Sequence, residues 1–236
     1  MRVDFSGERL LAVVAHPDDA ELLCAGTLAR ASSDGARIGI AVLCQGDRGQ
    51  PGVPIANLAD VRRDEMRAAA RVLSADLLTG EFGDGTLQDD PPSRQRVVEL
   101  MRQFRPTLIL GHAPNDYHAD HRAASALVDA CSWIASSRGL ITDSPPLDQP
   151  AAVWWLDTVA MHGFDPGFFV DVTEFVSVKE EMLRCHASQL QRGTADGFVP
   201  LLEEMRMQSS TRGRQAGVVA AEAFRLHTAF GRVRAW

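Results

Sequence analysis

The sequence predicts an α/β protein: a Rossmann-like three-layer α/β/α sandwich around a mainly parallel sheet. Three observations carry this expectation. Short apolar runs alternate with segments of helical period through the first half of the chain. Runs such as LLAVVA and IGIAVLC are apolar at successive positions, as in strands covered on both faces. Loops rich in Gly, Pro and Asp separate the runs.

Leu10–Ala15 reads as the first buried strand, followed at helical period by a helix from Asp19 to about Ser33. After the turn SDGAR, Ile38–Cys44 is a second strand, and QGDRGQPGVP is a loop. Asn57–Leu73 has helical spacing, and Leu77–Leu78 starts a short third strand. The loop EFGDGTLQDDPPS leads to a helix over Ser93–Phe104, with Pro91 and Pro92 at its start, and Thr107–Gly111 is the next strand. HAPNDYHADH then leads into a helix from about Asp120 to Trp133. Past a loop at Ser136–Pro150, Ala151–Leu156 and Phe168–Val172 read as strands, and Thr173–Leu190 and Pro200–Gln208 as helices. The expectation is one domain over 1–236, with the C-terminal part packed on the edge of the sheet.

Composition excludes several classes. Apolar residues are 45% and charged residues 23% of 236, enough for a sizeable core. A net charge of -7 argues against a nucleic-acid surface and against a polybasic membrane anchor. No stretch approaches the roughly 18 consecutive apolar residues of a membrane span. The N-terminus lacks the apolar core and cleavage site of a secretory signal, so a cytoplasmic protein is expected. Cys24, Cys44, Cys131 and Cys185 form no CxxC pair and are expected to be buried hydrophobes in a reducing compartment.

Chemistry concentrates where two strands end. His16-Pro17-Asp18-Asp19 follows the first strand, and His112 through His121 follows TLILG. Open α/β sheets bind ligands at the carboxyl ends of their strands, which places both clusters on one rim. Helix capping would account for one carboxylate after the first strand, but not for two plus an imidazole. A metal site accounts for more: His16 and Asp19 turn toward one point, and His118-Ala119-Asp120-His121 supplies a further imidazole. His16, Asp19 and His121 would form a His/Asp/His set with an open fourth position, which suits catalytic zinc, with Fe²⁺ as an alternative occupant. His118 is then left to act as an acid, with Asp120 accepting its hydrogen bond.

AHPDDAE (Ala15–Glu21) together with HADH (His118–His121) resembles the LmbE/PIG-L family of zinc-dependent N-acetylglucosaminyl de-N-acetylases. The likeness extends to RxxE at Arg62–Glu65, HASQL at His186–Leu190 and AEAF at Ala221–Phe224. One departure is Ala119, where many members have proline. The resemblance implies His16, Asp19 and His121 as metal ligands, Asp18 as general base, and His118 as the group that stabilises or protonates the tetrahedral intermediate. It implies a substrate contact for Arg62, which by spacing alone reads as part of a solvated helix face. The implied reaction is hydrolysis of an N-acetyl amide by metal-activated water, with His118 as an imidazolium kept charged by Asp120.

Other positions have weaker signals. Asp84 in GDG suits a turn or a sugar hydroxyl, and Tyr117 a loop closure or an oxyanion donor. His112, His162 and His227 read as structural, while His186 falls in the family-like late segment. The compact length resembles the bacillithiol-pathway deacetylases, which implies a small glycoside such as an N-acetylglucosaminyl malate as partner. A zinc amidase for another acyl group such as a thiol conjugate, or an inactive sugar-binding relative, would share these motifs. A nucleotide-binding protein would need a Gly-rich turn where HPDD stands. Specificity is expected to rest on the loops Gln45–Asn57 and Ser136–Pro150, and a homo-oligomer is left open.

Overall fold

A computed structural model describes residues 3–190 and 200–229. Its elements run β1 (Arg9–Val14), α1 (Asp19–Leu23), α2 (Ala25–Ser33), β2 (Arg37–Cys44), α3 (Leu58–Val72), β3 (Asp76–Phe82), α4 (Pro91–Phe104), β4 (Leu108–Gly111) and α5 (Ala119–Ile134). The second part comprises β5 (Ala152–Leu156), β6 (Phe168–Asp171), a 3-10 turn at Thr173–Phe175, α6 (Val176–Arg184), α7 (Ala187–Leu190), α8 (Leu201–Ala216) and β7 (Ala221–Leu226).

One seven-stranded sheet runs in the order β3-β2-β1-β4-β5-β7-β6. The five strands from β3 to β5 pair in parallel. β7 is antiparallel to both β5 and β6, so the sheet is mainly parallel, as expected. Alternation along β1 divides the core. Leu10, Ala12 and Val14 pack with Leu28 of α2, Met66 of α3, Met182 of α6 and Met205 of α8. Leu11 and Val13 pack on the opposite face with Val97 and Met101 of α4 and Leu127 and Val128 of α5. The inner strands β1, β2, β4 and β5 are sandwiched, which is why their runs are apolar at successive positions.

Three elements differ from the sequence expectation. The helix expected over 19–33 breaks at Cys24, whose φ of -144° lies outside the helical range. The break frees the amides at the start of α2, and the Glu222 carboxylate of β7 accepts from Gly26 N (2.9 Å) and Thr27 N (2.7 Å). Lys179, the only lysine, is fully buried 2.6 Å from Glu222 and balances its charge. A side chain at Gly26 would stand 2.7 Å from Val172 Cβ, so this approach requires glycine. The helix expected over 173–190 is three pieces. Finally, AEAF is a strand inserted between β5 and β6 rather than an edge segment. No helix among the described residues is long and apolar enough to cross a membrane.

Candidate active site

β1 and β4 are parallel neighbours, so the segments that follow them leave the sheet side by side. The first turns sharply: Asp19 N donates to His16 O (3.3 Å), and Asp19 Oδ2 accepts from His16 N (2.7 Å). Asp18, between them, has φ 92°, a left-handed conformation that a non-glycine residue holds only under constraint. The second segment enters α5 through His118, whose Nδ1 accepts from Asp120 N at 3.1 Å as an N-cap. That bond leaves the proton of a neutral His118 on Nε2.

The three expected ligands meet. His16 Nδ1 lies 3.3 Å from His121 Nε2 and 3.5 Å from Asp19 Oδ2, and His121 Nε2 lies 3.4 Å from Asp19 Oδ1. Ligands about 2.0–2.1 Å from a tetrahedral zinc would stand roughly 3.3 Å apart, so the spacing fits such an ion. The second nitrogen of each imidazole faces a carboxylate. His16 Nε2 is 3.1 Å from Asp120 Oδ2, and His121 Nδ1 is 3.0 Å from Asp116 Oδ1. Carboxylates behind metal-binding imidazoles orient the ring and raise its basicity. The described residues thus contain a His/Asp cluster able to hold a metal ion.

Opposite charges face one another across the cluster. Burial opposes the His16 cation, but the Asp120 and Asp19 carboxylates overcome it and hold the ring up to about 10. Burial likewise opposes the His121 cation, and Asp19 and Asp116 raise it to about 9. Burial disfavours the Asp19 anion, yet His121 and His112 hold its carboxyl well below the usual range.

Asp120 corrects one expectation. Its carboxylate faces His16, and Gly85 N donates to it at 2.6 Å, while His118 Nδ1 stands 4.0 Å away. His118 is pushed below its ordinary value by burial and by the neighbouring His16 and His121. In this geometry the Asp120 carboxylate is turned to His16, and what it offers His118 is its backbone N–H on Nδ1.

Arg62 also departs from expectation. It is 3% exposed, donates to Asp18 Oδ2 at 2.8 Å, and its same nitrogen donates to Pro17 O. Its stem packs under Gly46 and Gly49, where a Cβ would stand 2.6 Å and 3.0 Å from Arg62 atoms. The structure places it as a strut beneath Asp18 rather than as a group presented to a substrate. Burial pushes the Asp18 carboxyl up, with Arg62 opposing. The RxxE partner Glu65 accepts from Ser188 N and Oγ, both at 2.7 Å, and thereby docks HASQL. Gln189 of that segment donates to Gly49 O at 2.9 Å. His186 is buried 3.4 Å from Glu21, beneath the site rather than in its mouth.

Several residues at the site had no readable signal. Asp116 is one, because a loop aspartate two residues from a histidine motif carries no motif of its own. His112, expected to be structural, is fully buried, stacks on His121 with centroids 4.0 Å apart, and places Nε2 3.2 Å from Asp19 Oδ2. Cys44 corrects the uniform apolar reading of the cysteines: it ends β2 near His16 and Asp120. Burial and the surrounding carboxylates, Asp120 first, push its thiol up, away from the reactive thiolate. Asp84 is a clasp, accepting from Gly46 N (2.8 Å) and Arg48 N (3.2 Å). Tyr117 is 69% exposed, edge-on to His118. His162 and His227 lie elsewhere; His227 Nε2 is 2.9 Å from Asp129.

A family profile described as PIG-L, GlcNAc-PI de-N-acetylase, matches residues 11–132, which span β1, α5 and both histidine clusters. The conserved protein TT1542 of Thermus thermophilus superposes with a TM-score of 0.79 and 31% identity over 96% of this chain and all of that one. A diacetylchitobiose deacetylase of Thermococcus kodakarensis is 25% identical over 225 residues, 92% of this chain and 82% of its own length. A 4-oxalmesaconate hydratase of Pseudomonas putida is 27% identical over 197 residues, 76% of this chain and 73% of its own. With a matched region covering more than half of its residues and both histidine clusters, the chain belongs to the PIG-L (LmbE) family of de-N-acetylases.

Proposed function

We propose that this protein is a zinc-dependent hydrolase that removes the N-acetyl group from a small N-acetylglucosamine-type glycoside. The observation that carries the reading is the meeting of His16 Nδ1 and His121 Nε2, 3.3 Å apart, over the Asp19 carboxylate, whose Oδ2 lies 3.5 Å from the first and Oδ1 3.4 Å from the second. A zinc ion held by these donors would supply Lewis-acid polarisation of an acyl oxygen and a water acidic near neutrality.

The remaining steps belong to the chain. Asp18, beside the donors and raised by burial, takes a proton from the attacking water. Once the tetrahedral carbon has formed, the same carboxyl returns that proton to the amide nitrogen, and the C–N bond breaks to amine and acetic acid, whose proton passes to the amine to leave ammonium and acetate. His118 donates its Nε2–H to the developing oxyanion. Its tautomer is set by the Asp120 N–H on Nδ1. His118 is thus a hydrogen-bond donor throughout, and Asp18 moves the proton. Arg62 holds Asp18 in its left-handed backbone position.

The test is amine release from a panel of N-acetylglucosaminides, with metal content measured on the same preparation. Asp18→Asn should retain the metal and lose about 10²–10⁴-fold in kcat. A metal-loaded protein releasing no amine from any N-acyl amino sugar would overturn the reading. The match to a hydratase at comparable identity supports a second reading, addition of water to a carbon–carbon double bond by the same water-activating set. Hydration of 4-oxalmesaconate, followed by loss of its ultraviolet absorbance, tests it.

A further inference from the structure

We propose that His16, Cys44 and Asp120 form a second metal site, back to back with the first across the His16 ring, which takes a thiophilic divalent ion such as cadmium. The inference goes beyond the deacetylase reading, and its readouts, metal content and thiolate absorbance, do not depend on amine release.

Three segments that the strand order brings together build the site. β1 lies between β2 and β4, so the end of β2 and the first turn of α5 flank the residues that follow β1. Cys44 N donates to Ala15 O at 2.7 Å, which fixes the thiol beside the backbone that carries His16. Donor atoms of His16, Cys44 and Asp120 lie within 4.8 Å of one another. The imidazole presents one nitrogen to each side: Nδ1 faces His121 and Asp19, and Nε2 stands 3.1 Å from Asp120 Oδ2. Gly85 N donates to the same oxygen at 2.6 Å and holds the carboxylate in place. Sulfur at about 2.3 Å and nitrogen at about 2.0–2.1 Å from one tetrahedral ion stand roughly 3.6 Å apart, so the thiol needs to move by at most about 1.2 Å.

Charge and ligand type favour such an ion. Cys44 and Asp120 are 2% and 1% exposed, and the carboxylates facing the thiol are those of Asp120, Asp84, Asp19 and Asp47. Burial and these carboxylates keep a proton on the sulfur, and a divalent cation in the proton's place answers the same negative field. A thiolate among the donors selects soft ions over magnesium or calcium. Among the described residues, Cys44 is the one cysteine grouped with an imidazole and a carboxylate in this way. The His16 side chain is 13% exposed and gives the ion its way in from the rim. On binding, the thiol and His16 Nε2 release their protons to solvent. With the first site filled, the ring then bridges two ions as an imidazolate, and Asp120 turns from orienting His16 to holding the second ion.

The experiment titrates cadmium into protein loaded with zinc, counts both metals on the same sample, and follows the thiolate-to-cadmium charge-transfer band in the ultraviolet. Wild type should take up one cadmium beside its zinc, with a band that saturates at the same point. Cys44→Ser and Cys44→Ala, checked for folding by thermal unfolding, should keep their zinc and lose the band. Their cadmium affinity should fall by at least about 10- to 100-fold, the loss that removing even an outer partner of a metal causes. Cadmium that replaces zinc one for one without a thiolate band overturns the proposal, as does a band of equal size in Cys44→Ala. Cadmium NMR on the wild type decides the matter without a variant: a resonance in the thiolate range supports the site, and one in the range of nitrogen and oxygen donors alone refutes it. If the chain takes up no zinc, the reading of the first site fails by itself, and the Cys44-dependent band still decides the second.

Discussion

Replacing Arg62 by methionine separates two roles that the residue could play. Methionine keeps much of the apolar stem that packs under Gly46 and removes the guanidinium that holds Asp18 Oδ2 at 2.8 Å. A hydrogen bond to a charged group contributes about 1.5–3 kcal/mol. If all of it serves to place the base in the transition state, kcat falls roughly 10- to 150-fold. The loss should sit in kcat with KM nearly unchanged, because Arg62 is 3% exposed and offers substrate little surface. The assay is steady-state amine release on the best N-acetylglucosaminide, on protein matched for metal content and helicity. Adding Asp18→Asn to Arg62→Met should cost no more than Asp18→Asn alone, since the two act as one unit. A raised KM with kcat within about twofold of wild type would show a substrate contact instead and refute the strut.

Three further outcomes follow from the same geometry. Asp116→Asn removes the carboxylate 3.0 Å from His121 Nδ1 and should weaken zinc affinity about 10- to 100-fold, read by chelator competition. Metal-free His16 and His121 sit above their unfolded value of 6.5, at about 10 and about 9. Their protons therefore stabilise the metal-free chain fully below about pH 6.5, and this is lost as pH rises through about 9–10. Metal must displace those protons, so apparent zinc affinity should climb steadily from about pH 6.5 to about 9; a flat profile would contradict the shifts. Lys179→Met leaves Glu222 buried without its counter-charge, at a cost of about 3–5 kcal/mol, or roughly 6–20 °C in Tm for a chain of this size. The double variant Lys179→Met/Glu222→Gln should regain much of that loss in thermal unfolding.

The motif residues were legible because their types are costly where they occur. Two imidazoles and several carboxylates at the ends of apolar strands require a compensating partner, and a shared cation is an economical one. The supports were not legible. Glu222 caps a helix 195 residues away in sequence, and Asp116 orients a histidine from within an unremarkable loop. The break at Cys24 was hidden for the same reason. Its apolar pattern continues through 19–33 at helical period, and only the carboxylate arriving from β7 makes two helices preferable to one.

By itself the sequence determined the layered α/β architecture and the identity of the charged residues at its rim, since periodicity and the cost of burying charge are local properties of the chain. Tertiary structure alone decided who faces whom. Asp120 serves His16 rather than His118, Arg62 supports Asp18 rather than a ligand, and Cys44 ends beside His16 and Asp120. These pairings depend on β1 lying between β2 and β4, which brings loops some 35 to 105 residues apart into contact. Side-chain partnership at such separations is set by strand order, and strand order leaves no mark on any single stretch of sequence.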